Sequence, residues 1–304
     1  MRPFLIALSL SVSVAMALGS SGLAAPATSS PRLFADDKVF TAGRISVEVV
    51  GQGPDLVLIP GLASSRETWK ATAERLKDHY RLHLVQVAGF AGEPARDNAA
   101  GPVLEPTAEA IDAYIRDQGL APATVIGHSL GGTMILWLAI HHPQDLRRAL
   151  VVDALPDFAQ VMLGANAPPE QVKAMAEGMR RAPPRPASAN EKMLAAMVGG
   201  ADNRALVAAW SQASNPSAVQ NALADDLELD LRPALGRIYT PITLLYPDNT
   251  PVGAPPGAMD GFYKTAFAQA PTIKLERVDK SLHFIMLDQP AAFSEALDAF
   301  LAGR

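Results

Sequence analysis

An α/β architecture, with a mostly parallel sheet covered by helices on both faces, follows from three features of this 304-residue chain. Short runs rich in Val, Ile and Leu alternate with longer amphipathic stretches. Several of the short runs are apolar at nearly every position, as strands buried on both faces are. One long stretch, from Leu155 to about Gly236, lacks any strand-like run and divides the alternation in two.

The first 24 residues are of another kind. Arg2 precedes an apolar run from Phe4 to Leu18, and small residues follow, with Gly22 and Ala24 suited to the last positions before a cleavage site. The run is too short to span a bilayer, which needs about 20 apolar residues, so the layout predicts a signal peptide removed after Ala24. Residues 25–43, containing Ser, Pro and Asp, are expected to form a linker or loose N-terminal arm. Strands are then expected at 44–50, 55–60, 81–88, 123–127 and 148–153, with helices at about 65–78, 105–118 and 130–142. These make up the first part of the core, residues 44–154. A helical cap is expected over 155–235, in pieces near 168–181, 187–198, 203–213 and 216–227 separated by turn signals such as "APPRPAS" and "SNPS". The core resumes over 236–304, with strands at 241–246 and 272–278 and helices at 258–269 and 290–302.

Composition narrows the function classes. A 49% hydrophobic content is ample for a packed core. The net charge of −5 comes from scattered acids, and no basic stripe suited to nucleic acid is present. Cysteine is absent, so an exported chain would have no disulfide brace and no lipid attached through cysteine. After signal cleavage no segment is long and apolar enough to anchor it, so the expected location is the periplasm or the medium.

Chemistry concentrates at "VIGHSLGGTM". Gly127-His128-Ser129-Leu130-Gly131 has the form G-x-S-x-G, with a strand before it and a helix after. A serine at the apex of so sharp a turn projects from the sheet, and glycines on either side let neighbouring backbone pass close. The Leu130 N–H falls at a helix N-terminus, where an oxyanion is stabilised. A serine hydroxyl needs a base that is itself oriented by a carboxylate. His79, His83, His128, His141 and His142 occupy strand or helix ends or the elbow itself. His283, in "DKSLHF" after the last strand, belongs at the same sheet edge as Ser129 and is the expected base. For the acid, Asp248 in "YPDNTP" gives the order Ser, Asp, His; Asp153, ending "RALVVD", is the rival, with Asp260 and Asp279 behind. The backbone N–H of Leu62, in "LIPGLASS", is the expected partner of Leu130 in an oxyanion hole.

Taken in order, Pro60-Gly61-Leu62, Gly127 to Gly131, Asp248 and His283 resemble the α/β-hydrolase family, in its serine-esterase branch with a helical cap, over about 44–302. The resemblance implies a Ser129 nucleophile, a His283 base, an Asp248 orienter and oxyanion donors at Leu62 and Leu130. It implies a small-molecule acyl substrate and no metal or organic cofactor. The chain departs from the family at three places. Pro60-Gly61 stands where His-Gly is common, Pro247 replaces the glycine of Gly-x-x-Asp, and Gln86 and Ala91 alter the Asp-x-x-Gly-x-Gly loop. Amidase, lactonase, carbon-carbon hydrolase and perhydrolase chemistry would keep the same serine, and a silent ligand-binding protein would keep the fold.

Overall fold

A computed structural model of the protein describes residues 32–34, 38–164, 166–184, 191–270 and 272–303. The expected signal peptide and most of the arm lie outside these residues. The strands are β1 (Lys38–Thr41), β2 (Ile45–Gly51), β3 (Asp55–Ile59), β4 (Arg81–Val87), β5 (Ala123–His128), β6 (Leu146–Val152), β7 (Ile242–Pro247) and β8 (Ile273–Val278). They form one sheet in the order β1-β2-β4-β3-β5-β6-β7-β8. β2 runs antiparallel to both neighbours, and every pair from β4 onward is parallel.

This order places the site. From β3 the chain crosses to β4 on one side and then to β5 on the other, so β3 and β5 flank a topological switch point. Loops leaving the carboxyl ends of two such strands diverge and leave a crevice for a ligand. Ile59 pairs with Gly127, which brings Gly61 and Leu62 beside Ser129. His128 pairs with Val152, which brings Asp153 beside Ser129 on the other side.

The helices are α1 (Lys70–Leu76), α2 (Leu104–Asp117), α3 (Leu130–His141), α4 (Ala159–Leu163), α5 (Pro169–Arg181), α6 (Glu191–Met197), α7 (Ala201–Ala213), α8 (Pro216–Glu228), α9 (Ala258–Ala266), α10 (Ile285–Asp288) and α11 (Pro290–Leu301). α3 is apolar on every side and is buried from Leu130 through Ile140, because it lies between the sheet and α2. A second cluster on the opposite face joins Trp69, Leu84, Ile126, Trp210, Phe293 and Leu297. Two faces with continuous cores are what strands buried on both sides require. Among the described residues no helix is long and apolar enough to cross a membrane.

Between β6 and β7 the described chain is helical, from α4 to α8 and a 3₁₀ turn at Arg232–Arg237. α8 is tied to the core at both ends. Asn215 N–H donates to Gly89 O at 2.7 Å and Ala91 N–H to Ser214 Oγ at 2.8 Å. At the other end Asp225 Oδ2 accepts from the N–H groups of Val103 and Leu104, capping α2. α4 and α5 rest on α8 through Ala159, Val172, Met175, Ala176 and Met179. Met175, Met179 and Met197 fill gaps between helices, whereas Met162 and Met193 are exposed.

One strand departs from expectation. Lys38–Thr41 falls in the segment expected to be a loose arm over 25–43, yet it pairs with β2, Phe40 opposite Val47. Its anchor is tertiary: the Phe40 ring sits 5.0 Å from that of Tyr114, and buried Glu48 accepts from the N–H groups of Leu33 and Phe34 at 2.8 and 2.9 Å. Four residues with one large apolar side chain carry too little pattern to reveal this in the sequence.

Candidate active site

Ser129 sits between β5 and α3 with φ 52° and ψ −123°, a backbone conformation that costs a non-glycine residue about 1–3 kcal/mol. The surrounding backbone holds it there. Ser129 N–H donates to Val152 O at 2.9 Å, and its carbonyl accepts from Thr133 N–H at 2.9 Å. The flanking glycines are required by space. A Cβ on Gly127 would stand 2.5 Å from Gly131 O, and one on Gly131 would stand 2.6 Å from Ile59 O and 2.7 Å from Pro60 O. A Cβ on Gly61 would come within 3.0 Å of Ser129 Cβ, so the Pro60-Gly61-Leu62 turn passes directly against the serine. Leu62 and Leu130 thus flank Ser129, and the Leu130 N–H, in the first turn of α3, has no intrahelical acceptor.

His283 is half-buried, and its Nδ1 lies 2.6 Å from Asp153 Oδ2. The expected acid was Asp248, and here the structure differs. Asp248 turns back on its own loop: Oδ1 accepts from Thr250 N–H at 3.1 Å and Oδ2 from Thr250 Oγ1 at 2.9 Å. Burial pushes its carboxyl up, but these donors and the Lys280 N–H outweigh that and hold it below the usual range. The reason lies in the sheet. β6 neighbours β5, so a residue leaving β6 is one strand from Ser129, while a residue leaving β7 is two away. Val152 is level with Leu245, and β7 continues two further residues to Pro247, so Asp248 leaves the sheet two residues later than Asp153. The other two acids are surface partners of Arg277.

Asp153 is set for this contact by φ 49° and by its N–H donating to Leu245 O at 2.8 Å. Its second oxygen accepts from the hydroxyl of Tyr263 on α9, a residue that motif reading did not raise. Tyr263 is buried and its ring stacks on that of Tyr246, with centroids 4.5 Å apart. Burial, and then the charge of Asp153, hold the phenol proton on well above its ordinary range.

His128 supports the base from beneath. It is fully buried, burial and then His283 push its pKa well below 6.5, and as a neutral ring it donates from Nε2 to His283 O at 3.0 Å. Asp288 accepts from Leu282 N–H at 2.9 Å and fixes the same loop. On the other side, Gln86 stands where the resemblance would place an acid. Its amide accepts from Arg66 N–H at 2.8 Å and donates to Ser64 O and Phe90 O, joining the Leu62 loop to the loop after β4. A carboxylate could not donate those bonds.

Asp226 on α8 is a further buried acid. Its Oδ1 has no hydrogen-bond partner among the described residues, Thr133 bonds the carboxyl, and burial pushes it up to about 7 with Asp225 and Asp157 adding to the shift. Elsewhere, Glu109, Asp112 and His142 bring possible ligand atoms within 4.8 Å of one another at the far end of α3. The two ring nitrogens of His142 face different carboxylates, Nε2 toward Glu109 and Nδ1 toward Asp112, so one imidazole links α2 to the end of α3. A cavity of about 290 Å³ among α4, α5 and α8, lined in part by Lys173, Leu227 and Arg232, includes none of Ser129, Asp153 or His283 in its walls.

Comparison with known proteins gives the relatives of the chain. The chain is 28% identical over 264 residues to the pimeloyl-[acyl-carrier protein] methyl ester esterase of Vibrio cholerae, covering 83% of this chain and 96% of that one. It is 26% identical over 266 residues to the enzyme of the same name from Nitrosomonas europaea, covering 84% and 98%. Among solved structures, a thermophilic esterase from Thermogutta terrifontis aligns with a TM-score of 0.68 at 20% identity, covering 88% of this chain and 99% of that one. An enol-lactonase from Burkholderia xenovorans aligns at 0.65 and 17%, covering 85% and 96%. These structural likenesses show the shared fold. The profile of the alpha/beta hydrolase family matches residues 56–296, most of the chain, and the protein belongs to that family.

Proposed function

We propose that this protein is a serine hydrolase that cleaves small carboxylic esters through an acyl-enzyme. Ser129 is the nucleophile, His283 the general base and then acid, and Asp153 the residue that orients the imidazole. The observation that carries the reading is the His283–Asp153 contact of 2.6 Å at the sheet edge where Ser129 stands on its strained turn. In the reaction, Ser129 Oγ attacks the ester carbonyl as its proton passes to His283 Nε2. Asp153, on Nδ1, keeps the imidazole in the tautomer that leaves Nε2 free to accept and then stabilises the imidazolium. The tetrahedral oxyanion collects on the N–H groups of Leu62 and Leu130, donors worth about 10²–10³ in rate each in comparable sites. His283 then protonates the departing alkoxide, and water deprotonated by His283 releases the acid and restores Ser129.

The relatives named as methyl ester esterases support an ester with a small alcohol as the substrate class. The leader-like first 24 residues support export to the periplasm or the medium. The test is mass spectrometry of the protein after exposure to an activated fluorophosphonate, with Ser129→Ala and His283→Ala alongside, paired with turnover of short methyl and p-nitrophenyl esters. A single adduct on Ser129, lost in both variants, is expected, together with ester turnover that both variants lose. A folded wild type that takes no adduct overturns the assignment. Secreted material should begin at Ala25.

A further inference from the structure

We infer that Tyr263 is a positioning residue for the Asp153–His283 pair, its hydroxyl fixing the carboxylate and sharing its charge. The inference rests on the hydrolase reading of Ser129, His283 and Asp153. Asp153 has two oxygens with separate tasks: Oδ2 faces His283 Nδ1 at 2.6 Å, and Oδ1 accepts from Tyr263. A carboxylate held by one partner can rotate about its Cβ–Cγ bond; held from both sides it presents one oxygen to the imidazole in a fixed plane.

Tyr263 is itself fixed. Its ring is 3% exposed, it stacks on Tyr246, and Phe262 meets its edge. Tyr246 in turn donates to Asp260 Oδ1 at 3.0 Å, and Asp260 pairs with Arg277 at 2.8 Å. The Tyr246 ring backs Tyr263, while its hydroxyl bonds outside the pair, toward the outer edge of β8. Because the phenol keeps its proton across the working range, it acts as a donor throughout.

The electrostatic role follows. A hydrogen bond to a carboxylate withdraws part of its charge, so Asp153 pulls less strongly on a proton at His283 when Tyr263 is in place. Without the phenol, the imidazolium is more stable and the base less available at low pH. The other groups facing His283 are His128 from the end of β5, Asp226 from α8 and Asp288 from α10. None of them bonds Asp153, so removing the phenol leaves their contacts unchanged.

The experiment compares wild type, Tyr263→Phe and Tyr246→Phe in the full chain, following kcat and KM for a p-nitrophenyl ester against pH, fluorophosphonate labelling and melting temperature. Tyr263→Phe retains the ring and its stacking. It should lower kcat by about 10- to 100-fold, the range expected for one hydrogen bond to a charged group. KM should stay within about twofold, and the acid limb of kcat/KM should move to higher pH. Tyr246→Phe, which loses a hydroxyl outside the pair, should leave both the limb and kcat near wild type. Replacing Tyr263 by a fluorinated tyrosine, a stronger donor of the same shape, should move the limb to lower pH, and it carries the test if the Phe variant does not fold. An unmoved acid limb in a folded Tyr263→Phe, or a fluorotyrosine shift in the Phe direction, overturns the inference while leaving the triad in place. Failure of the wild type to label at Ser129 overturns the hydrolase reading and this inference with it.

Discussion

Replacing the two rival carboxylates one at a time separates catalysis from scaffold. In Asp153→Asn the side chain keeps its size, but its amide can present a donor to His283 Nδ1. The imidazole then bonds in the wrong tautomer, with a proton on Nε2 where Ser129 needs an acceptor. Loss of the orienting carboxylate in comparable triads costs about 10³–10⁴ in kcat. The fold should hardly notice, since among the described residues only Tyr263 and His283 hydrogen-bond the carboxyl. In Asp248→Asn the opposite pattern is expected. The carboxylate serves Thr250 N–H, Thr250 Oγ1 and Lys280 N–H, and an amide can serve the acceptor side of only part of that set. The loss should be about 1–2 kcal/mol of stability, a fall of about 2–4 °C in melting temperature for a domain of this size. kcat should stay within a few-fold. Single-turnover release of p-nitrophenol, with a thermal melt on the same samples, reads both quantities. If Asp248→Asn abolishes turnover at a native melting temperature while Asp153→Asn retains it, the geometric assignment of the acid is refuted.

Two other perturbations test the frame around the site. Gly131→Ala places a methyl 2.6 Å from Ile59 O and 2.7 Å from Pro60 O, so β3 must shift and carry Leu62 with it. A destabilisation of about 1–3 kcal/mol with a loss of ester turnover is expected in a denaturant titration and rate assay, whereas Gly178→Ala, with nothing within 4 Å of the added carbon, should be neutral or slightly stabilising. Asp226, pushed up to about 7 from an ordinary value of 3.8, binds a proton more tightly folded than unfolded. Stability contributed by that proton is full below about pH 4 and is lost as pH rises toward 7, so Asp226→Asn should match wild type at pH 4 and exceed it at pH 8, by an amount on the order of 2 kcal/mol in urea titrations.

The parts of the molecule legible in the sequence were those in which local pattern and tertiary role coincide. The strands from β2 to β7 read as apolar runs because both their faces are covered, and Ser129 was recognisable because glycines must flank so tight a turn. The acid was not legible in the same way. Asp153 and Asp248 each follow a strand, and what separates them is which carboxylate meets His283, a tertiary contact that no local pattern encodes. A local signal did exist in "PDNTP": an Asp two residues before Thr in a turn-rich context bonds its own loop, as Asp248 does. Tyr263 was hidden because a tyrosine on an amphipathic helix looks like core until its hydroxyl is seen against Asp153. The role of Gln86 is hidden for a similar reason, since in the sequence it reads only as a departure from an acid and its two-sided bonding appears only when the loops meet.

The anchoring of α8 divides the inserted helices into unequal parts. With Ser214 and Asn215 fastened to the loop after β4 and Asp225 fastened to the start of α2, α8 cannot swing without breaking core bonds. α6 is held in turn through Met197 O and Phe284 N–H. The stretch from α4 to α5 leans on α8 through alanine and methionine side chains, and the end of α5 is tied to it by Arg180 with Asp225 and Glu228 and by Gln220 donating to Met179 O and Ala182 O. Parting α5 from α8 would break only these partly exposed bonds, while the wall that carries Asp226 keeps a constant shape. Substitutions on α5 should change how fast esters come and go, and substitutions on the inner side of α8 should change which esters are accepted.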